Sequence, residues 1–195
     1  MDFSNENTLR ELSEHFARNP QQQWQATPLL GDESISTGQA VPIKNPANHN
    51  DVVGQVVEAT HADVASALAI ADAAAIEWRH TAPAERAAAL LRAANALEIH
   101  HVELMTLAVR EAGKSLPNAV AEIREAVDFL RYYGTQVQAD AQSQTLGAVV
   151  CIAPWNFPLA IFIGEIAASL AAGNSVLAKP AEQTPLIAHR AVQLL

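Results

Sequence analysis

The chain has 195 residues, half of them hydrophobic and only 5% aromatic, with a formal net charge of −9. That acidity argues against nucleic acid or an anionic membrane as the main partner, since both repel a negative surface. A single cysteine, Cys151, excludes an internal disulfide and fits a reducing compartment, so a cytoplasmic location is expected.

In chain order, residues 1–34 read as a polar lead-in, with a short helical pattern at Leu9, Leu12 and Phe16. They lack the basic start and apolar run of a secretory signal. Residues 35–59 hold two strand-like runs, ISTGQAVPIKNP and DVVGQVVEAT, around the turn signal Asn45-Pro46-Ala47-Asn48, which predicts a β-hairpin. Three helices are expected next. The first opens on Thr60 as N-cap, with Asp63 in its first turn and Val64, Leu68 and Ala71 on one stripe. The second is expected to run unbroken from Thr81 and Pro83 to a C′ glycine at Gly113, with Leu90, Ala94, Leu97, Leu104 and Ala108 along its apolar side. His101 falls on that side and is expected to be buried or at its boundary. Its neighbour His100 points about 100° away, so the two cannot share a metal. The third helix starts at Pro117 and buries Val120, Ile123, Val127 and Leu130. Each stripe needs a partner, so residues 35–145 should form a hairpin and a helical layer.

Residues 146–195 change character. A strand near 147–152, a helix near 158–171 and a strand near 175–179 make a parallel βαβ unit, and Thr184-Pro185 opens a further helix. The apolar stretch from Pro158 to Ala172 contains Glu165 and is shorter than the ~20 residues of a bilayer span. Ligands of such units sit beyond the carboxyl ends of the strands, where Asn156, Lys179 and Glu182 cluster. Two parallel strands cannot cover both their faces or their edges. The sheet is therefore expected to be incomplete, the chain breaking off inside a nucleotide-binding domain. Cys151 lies inside the run VVCIA, where a buried strand holds it as a small hydrophobe rather than a nucleophile.

The segment CIAPWNFPLAIFIGEIAASLAAGNSVLAKPAEQTP resembles the aldehyde dehydrogenase superfamily, and the pairing of PWNFP with KPAEQTP about 20 residues on is specific to it. Within the superfamily the chain is most similar to the L-glutamate γ-semialdehyde (pyrroline-5-carboxylate) dehydrogenase module of bifunctional proline-utilisation proteins. The likeness continues through NPANHNDVVGQVVEAT, REAGKSLPNAVAEIREAVDFLRYYG and the lead-in. It implies an α/β fold, the N-terminal part of the aldehyde dehydrogenase fold, with a helical layer and an incomplete parallel nucleotide-binding sheet. It also implies an NAD-dependent oxidation of a small aldehyde, and homo-oligomers for the full-length enzyme. The family's nucleophilic cysteine and general-base glutamate would lie beyond Leu195, so the 195 residues alone are expected to be inactive.

The resemblance also implies roles residue by residue. Asn156 would donate a hydrogen bond to the oxyanion formed when a thiolate adds to the aldehyde, although a turn asparagine capping the next helix fits the same position. Lys179, Ala181 and Glu182 would line the cofactor site. The lysine and the carboxylate would grip the adenosine ribose, Glu182 disfavouring a 2′-phosphate, while the plain alternative is a surface Lys–Glu pair. Ala153, Pro154 and Trp155 would wall the nicotinamide side. Phe157, Glu125 and Phe129 would border the aldehyde passage, unless Phe157 is a core residue and Glu125 part of a solvated face carrying Arg124–Asp128 and Asp128–Arg131 pairs. No G-x-G-x-x-G is present and no histidine spacing suits a metal. A reading from another class remains: a non-catalytic interaction or assembly module that keeps the motif.

Overall fold

Helices carry most of the chain because alanine-rich stretches with three- and four-residue apolar spacing dominate its middle. The computed structural model describes residues 4–18, 22–31, 33–34, 38–137 and 144–195. In order these form α1 (Glu6–Arg18), β1 (Trp24–Ala26), β2 (Leu29–Leu30), β3 (Glu33–Ser34), β4 (Ala40–Asn45) and β5 (Asn48–Val57). Then come α2 (His61–Trp78), α3 (Pro83–Ile99), α4 (His101–Ala112), α5 (Leu116–Gln136), β6 (Ala148–Ile152), α6 (Ala160–Ala171), β7 (Ser175–Lys179) and α7 (Pro185–Gln193). The fold is α/β, with a helical layer beside a parallel strand pair.

The predicted hairpin is β4–β5, antiparallel, with a register irregularity at Ile43/Lys44 and Lys44/Asn45. Residues 35–37, at the start of the first strand-like run, lie outside the described residues. The lead-in contributes a strand that its composition did not signal: β1 pairs parallel with β5, Trp24 opposite Gly54. Gly54 permits this approach, because a Cβ there would collide with the Trp24 carbonyl oxygen and come within 2.9 Å of Leu186 Cδ1. In α1, Leu12 is buried while Leu9 is exposed.

Helix α2 starts as predicted. Thr60 Oγ1 accepts from the Asp63 amide at 3.2 Å, and the Asp63 carboxylate accepts from the Thr60 amide at 2.7 Å, a reciprocal capping box. Of its predicted stripe Ala71 is buried, and the other two members are corrected. Val64 and Leu68 are 47% and 44% exposed, and the buried residues are Ala71 and Ala75. The helix lies close against β7 through small residues, Ser175 Oγ donating to the Ala71 carbonyl at 2.7 Å, and larger side chains point away.

The long second helix is also corrected. It breaks at His100 (φ −93°, ψ 16°), which ends α3 and begins α4. Leu97 and Leu104 are both fully buried, so the seven-residue spacing between them survives the bend, and no proline or glycine marks it. The His100 Nδ1 lies 3.2 Å from Glu103 Oε2 in the new first turn. His101 is half-buried. Gly113 ends α4 in the left-handed conformation, φ 66°, as a C′ glycine should.

Helix α5 buries Ile123, Val127 and Leu130 as predicted, and it forms the main core with α3 and α6 through Leu90, Ala94, Phe162 and Ile163. Of the surface pairs expected on it, Arg124–Asp128 stands at 3.9 Å, whereas Arg131 reaches across to Glu98 of α3 at 2.6 Å instead of pairing with Asp128. No helix among the described residues is long and apolar enough to cross a membrane.

Candidate active site

The β-branched, apolar runs AVVCI and SVLAK form β6 and β7, parallel and in register from Ala148–Ser175 to Ile152–Lys179. Asn174 holds their entry, its Oδ1 accepting from the Leu146 amide at 2.6 Å and the Gly147 amide at 3.2 Å. At the exit the Ala153 amide donates to the Lys179 carbonyl at 3.1 Å, extending the ladder by one bond. The chain segments 153–157 and 179–182 therefore leave the sheet at the same end, the carboxyl end of both strands.

Ala153 is buried, Pro154 half-buried, and Trp155, Asn156 and Phe157 are exposed at that end. Lys179 and Glu182 are exposed too, with Ala181 half-buried between them. The surface Lys–Glu pair is not formed. Lys179 Nζ donates to the Pro180 carbonyl at 3.1 Å, and Glu182 Oε1 accepts from Gln183 Nε2 at 3.1 Å. Lys179, the last residue of β7, and Glu182, three residues on, thus leave an ammonium donor and a carboxylate acceptor exposed beyond the strand end and not spent on each other.

Nor does Asn156 cap the following helix. Helix α6 begins with Leu159 at the cap position and no side-chain cap of its own. Its first free amides are taken by Glu122 of α5, whose Oε2 accepts from Leu159 at 3.2 Å and Ala160 at 3.0 Å. The Glu122 side chain is 1% exposed, and its other oxygen receives Lys114 Nζ at 2.8 Å. The Lys114 ammonium in turn stands 4.6 Å from the centroid of the Phe157 ring.

The second exit is built the same way. Thr184, at the cap position of α7, makes no side-chain cap bond. Glu111, the last acidic residue of α4, accepts from the Leu186 amide at 2.6 Å and the Ile187 amide at 2.9 Å. Burial pushes the Glu111 carboxyl up to about 8 against the two amide bonds that favour its ionised form. Two buried glutamates from the helical layer thus hold the two helices that follow the candidate site segments. Neither was singled out from the sequence, yet both had a signal: each carboxylate lies on the apolar side of its helix, at Leu104–Leu107–Glu111 and Ala119–Glu122–Ala126.

Phe157 is near the rim rather than in the core, 39% exposed. Glu125 is exposed on α5. Phe129 is half-buried with its ring against Gly164 of α6, where a Cβ would come within 2.9 Å of Cδ2, and it stacks with Tyr133 at 6.1 Å between centroids. The structure gathers 153–157 and 179–182 at one end, while Phe129 packs against α6 at Gly164. Cys151 is buried in β6, its sulfur 3.6 Å from Ser169 Oγ, and burial together with the Glu165 charge raises its thiol. It has neither the access nor the acidity of a nucleophile.

Comparison with known proteins gives the family context. The pattern described as "Aldehyde dehydrogenase family" matches residues 34–195. The chain is 53% identical, over its whole length, to the bifunctional protein PutA of Escherichia coli strain K12, of which it covers 15%. It is 37% identical to the 1-pyrroline-5-carboxylate dehydrogenase of Geobacillus sp. strain WCH70, with 86% of this chain and 35% of that protein aligned. The structure superposes on 1-pyrroline-5-carboxylate dehydrogenase from Thermus with bound NAD, with a TM-score of 0.93 and 30% identity, covering all of this chain and 41% of the other. The chain thus spans less than half the length of these relatives.

Proposed function

This chain belongs to the aldehyde dehydrogenase family, and we propose that it is the N-terminal portion of an NAD-dependent enzyme oxidising L-glutamate γ-semialdehyde to glutamate in proline breakdown. The observation that carries the reading is the register of Ile152 with Lys179, which sends the PWNF turn and the KPAE segment off the same end of a parallel pair. The whole-length similarity to a protein named as bifunctional PutA and to 1-pyrroline-5-carboxylate dehydrogenases supports the choice of aldehyde.

When bound, the dinucleotide supplies the hydride acceptor for conversion of an aldehyde to an acid. Lys179 and Glu182 grip its adenosine ribose through one donor and one two-oxygen acceptor, and the carboxylate repels a 2′-phosphate, favouring NAD over NADP. Ala181, Ala153, Pro154 and Trp155 provide the apolar wall beside it. The amide of Asn156 donates to the aldehyde oxygen as negative charge grows there. A neutral donor stabilises that charge without first forming an ion pair with a thiolate. Phe157, Phe129 and Glu125 border the approach of the aldehyde.

Cys151 cannot serve as the nucleophile, so the reading requires a cysteine and a water-activating glutamate outside these 195 residues. The 195-residue chain alone should be inactive. The test is NADH formation from L-glutamate γ-semialdehyde by the full-length protein. Asn156→Ala should slow it roughly a hundredfold to a thousandfold with little change in KM. Full activity in that variant would overturn the assignment of Asn156, and absence of NAD-linked oxidation in the parent protein would overturn the function.

A further inference from the structure

We propose that Lys114 and Glu122 are positioning residues for Asn156, a buried couple that grips the turn on its carboxyl side. The inference rests on the role given to Asn156 above.

Among the described residues no hydrogen bond holds the Asn156 side chain, and the residue is exposed. An oxyanion donor must nevertheless be set in place before the reaction, since a donor that has to be reoriented loses most of its worth. The restraint therefore has to come from the neighbouring chain. Before Asn156 the Ala153 amide is tied to β7. After it, Phe157 lies under the Lys114 ammonium at 4.6 Å, and Leu159 and Ala160 hand their amides to Glu122 at 3.2 and 3.0 Å. Three residues just after Asn156 (Phe157, Leu159 and Ala160) are thus held by two side chains that are bonded to each other at 2.8 Å.

The chemistry of the couple suits this task. The Glu122 side chain is 1% exposed and the Lys114 side chain 14%, so neither is free to wander into water. A lone carboxylate buried at the start of α6 would be costly, and the ammonium offsets it while its other side meets the ring face. Glu122 has both oxygens occupied: one by the ammonium, one by the two amides. Lys114 follows Gly113, whose left-handed turn sends the chain back from α4 towards α5 and so delivers the lysine to the turn. Two side chains of the helical layer thereby set the register of the loop that carries the oxyanion donor.

The test is a cycle of variants in the full-length protein: Glu122→Gln, Asn156→Ala and the two combined, each assayed for kcat and KM with L-glutamate γ-semialdehyde and NAD. A displacement of about an ångström at a reacting centre can cost a hundredfold, so Glu122→Gln is expected to lower kcat roughly ten- to a hundredfold with KM for NAD changed less than about twofold. The combined variant should be about as slow as Asn156→Ala alone, because the couple acts only through that amide. A merely structural role would leave the two effects multiplicative. If Asn156→Ala is slow while Glu122→Gln is silent, or slows the reaction independently, the positioning role is overturned and the reading of Asn156 stands. If Asn156→Ala is itself silent, the reading of Asn156 falls and the positioning role falls with it. Should Glu122→Gln fail to fold, the same cycle is run with Lys114→Gln and Glu122→Gln together, which leaves no solitary buried charge.

Discussion

Replacing Glu111 by glutamine should flatten part of the protein's pH–stability curve. The Glu111 side chain is buried at the start of α7, and its carboxyl is pushed from an ordinary value of 4.5 to about 8, burial being the main cause. A group whose folded value is raised binds its proton more tightly in the native state. Its contribution to stability is therefore fully present below pH 4.5, declines as pH rises, and is lost above about 8. Between the two values each pH unit is worth ~1.4 kcal/mol, tapering near the upper one, so the loss between pH 6 and pH 8 is about 2 kcal/mol. Glutamine keeps an oxygen for one amide and cannot titrate. Urea denaturation of the full-length parent protein and of Glu111→Gln at pH 6, 7 and 8 gives the test. Other groups titrate in both proteins, including His189, which burial holds below its usual range, and they cancel in the difference. The gap between the two stabilities should narrow or invert by about 2 kcal/mol over that range. Parallel curves would refute the reasoning.

Three further outcomes follow from the packing. Gly54→Ala should lower Tm and cost about 1–3 kcal/mol, because the added methyl meets the Trp24 carbonyl, which is backbone and cannot swing aside. Phe162→Ala, at a side chain 1% exposed between α5 and α6, should cost roughly 3–5 kcal/mol in urea denaturation. The third concerns acid. Hydrogen bonds from Arg110 at 2.6 and 3.1 Å hold the Asp51 carboxyl below its ordinary 3.8, so its contribution is present above that pH and is lost as pH falls through the lower native value. Asp51→Asn should remove this part of the acid sensitivity, read as a smaller drop in Tm between pH 5 and pH 3.

The parts legible in the sequence were those governed by short-range pattern. The alternation of apolar runs with Pro-Trp-Asn-Phe-Pro and Lys-Pro-Ala-Glu located β6, α6 and β7, and Thr60 with Asp63 located the start of α2. What escaped was set by contacts distant in the chain. Trp24 pairs with Gly54 because of what surrounds both, and the three-residue strand it belongs to has no periodicity of its own. The bend at His100 preserves the leucine spacing, so the spacing could not reveal it. Helical spacing places Val64, Leu68 and Ala71 on one stripe, but the close approach of α2 to β7 buries only the alanine of the three. Glu111 and Glu122 reach partners 75 and 37 residues away, and only their intrusion into apolar stripes hinted at it. In the candidate site, the residue types were readable from the motif. The reason that Asn156 does not cap α6 was not, because the cap comes from another helix.

The lead-in strand has a practical consequence. The family pattern begins at residue 34, yet β1, at Trp24–Ala26, covers one side of β5. The carbonyl of Gln22 takes a bond from Arg110 Nη1 at 2.6 Å, and the Trp24 ring lies 5.4 Å from the same guanidinium. A version trimmed to the family boundary would bare the backbone groups of 54–56 and strip that arginine of two neighbours at once. Such an uncovered strand is a template for pairing with another molecule, so the shortened protein should clump where the longer one stays dispersed.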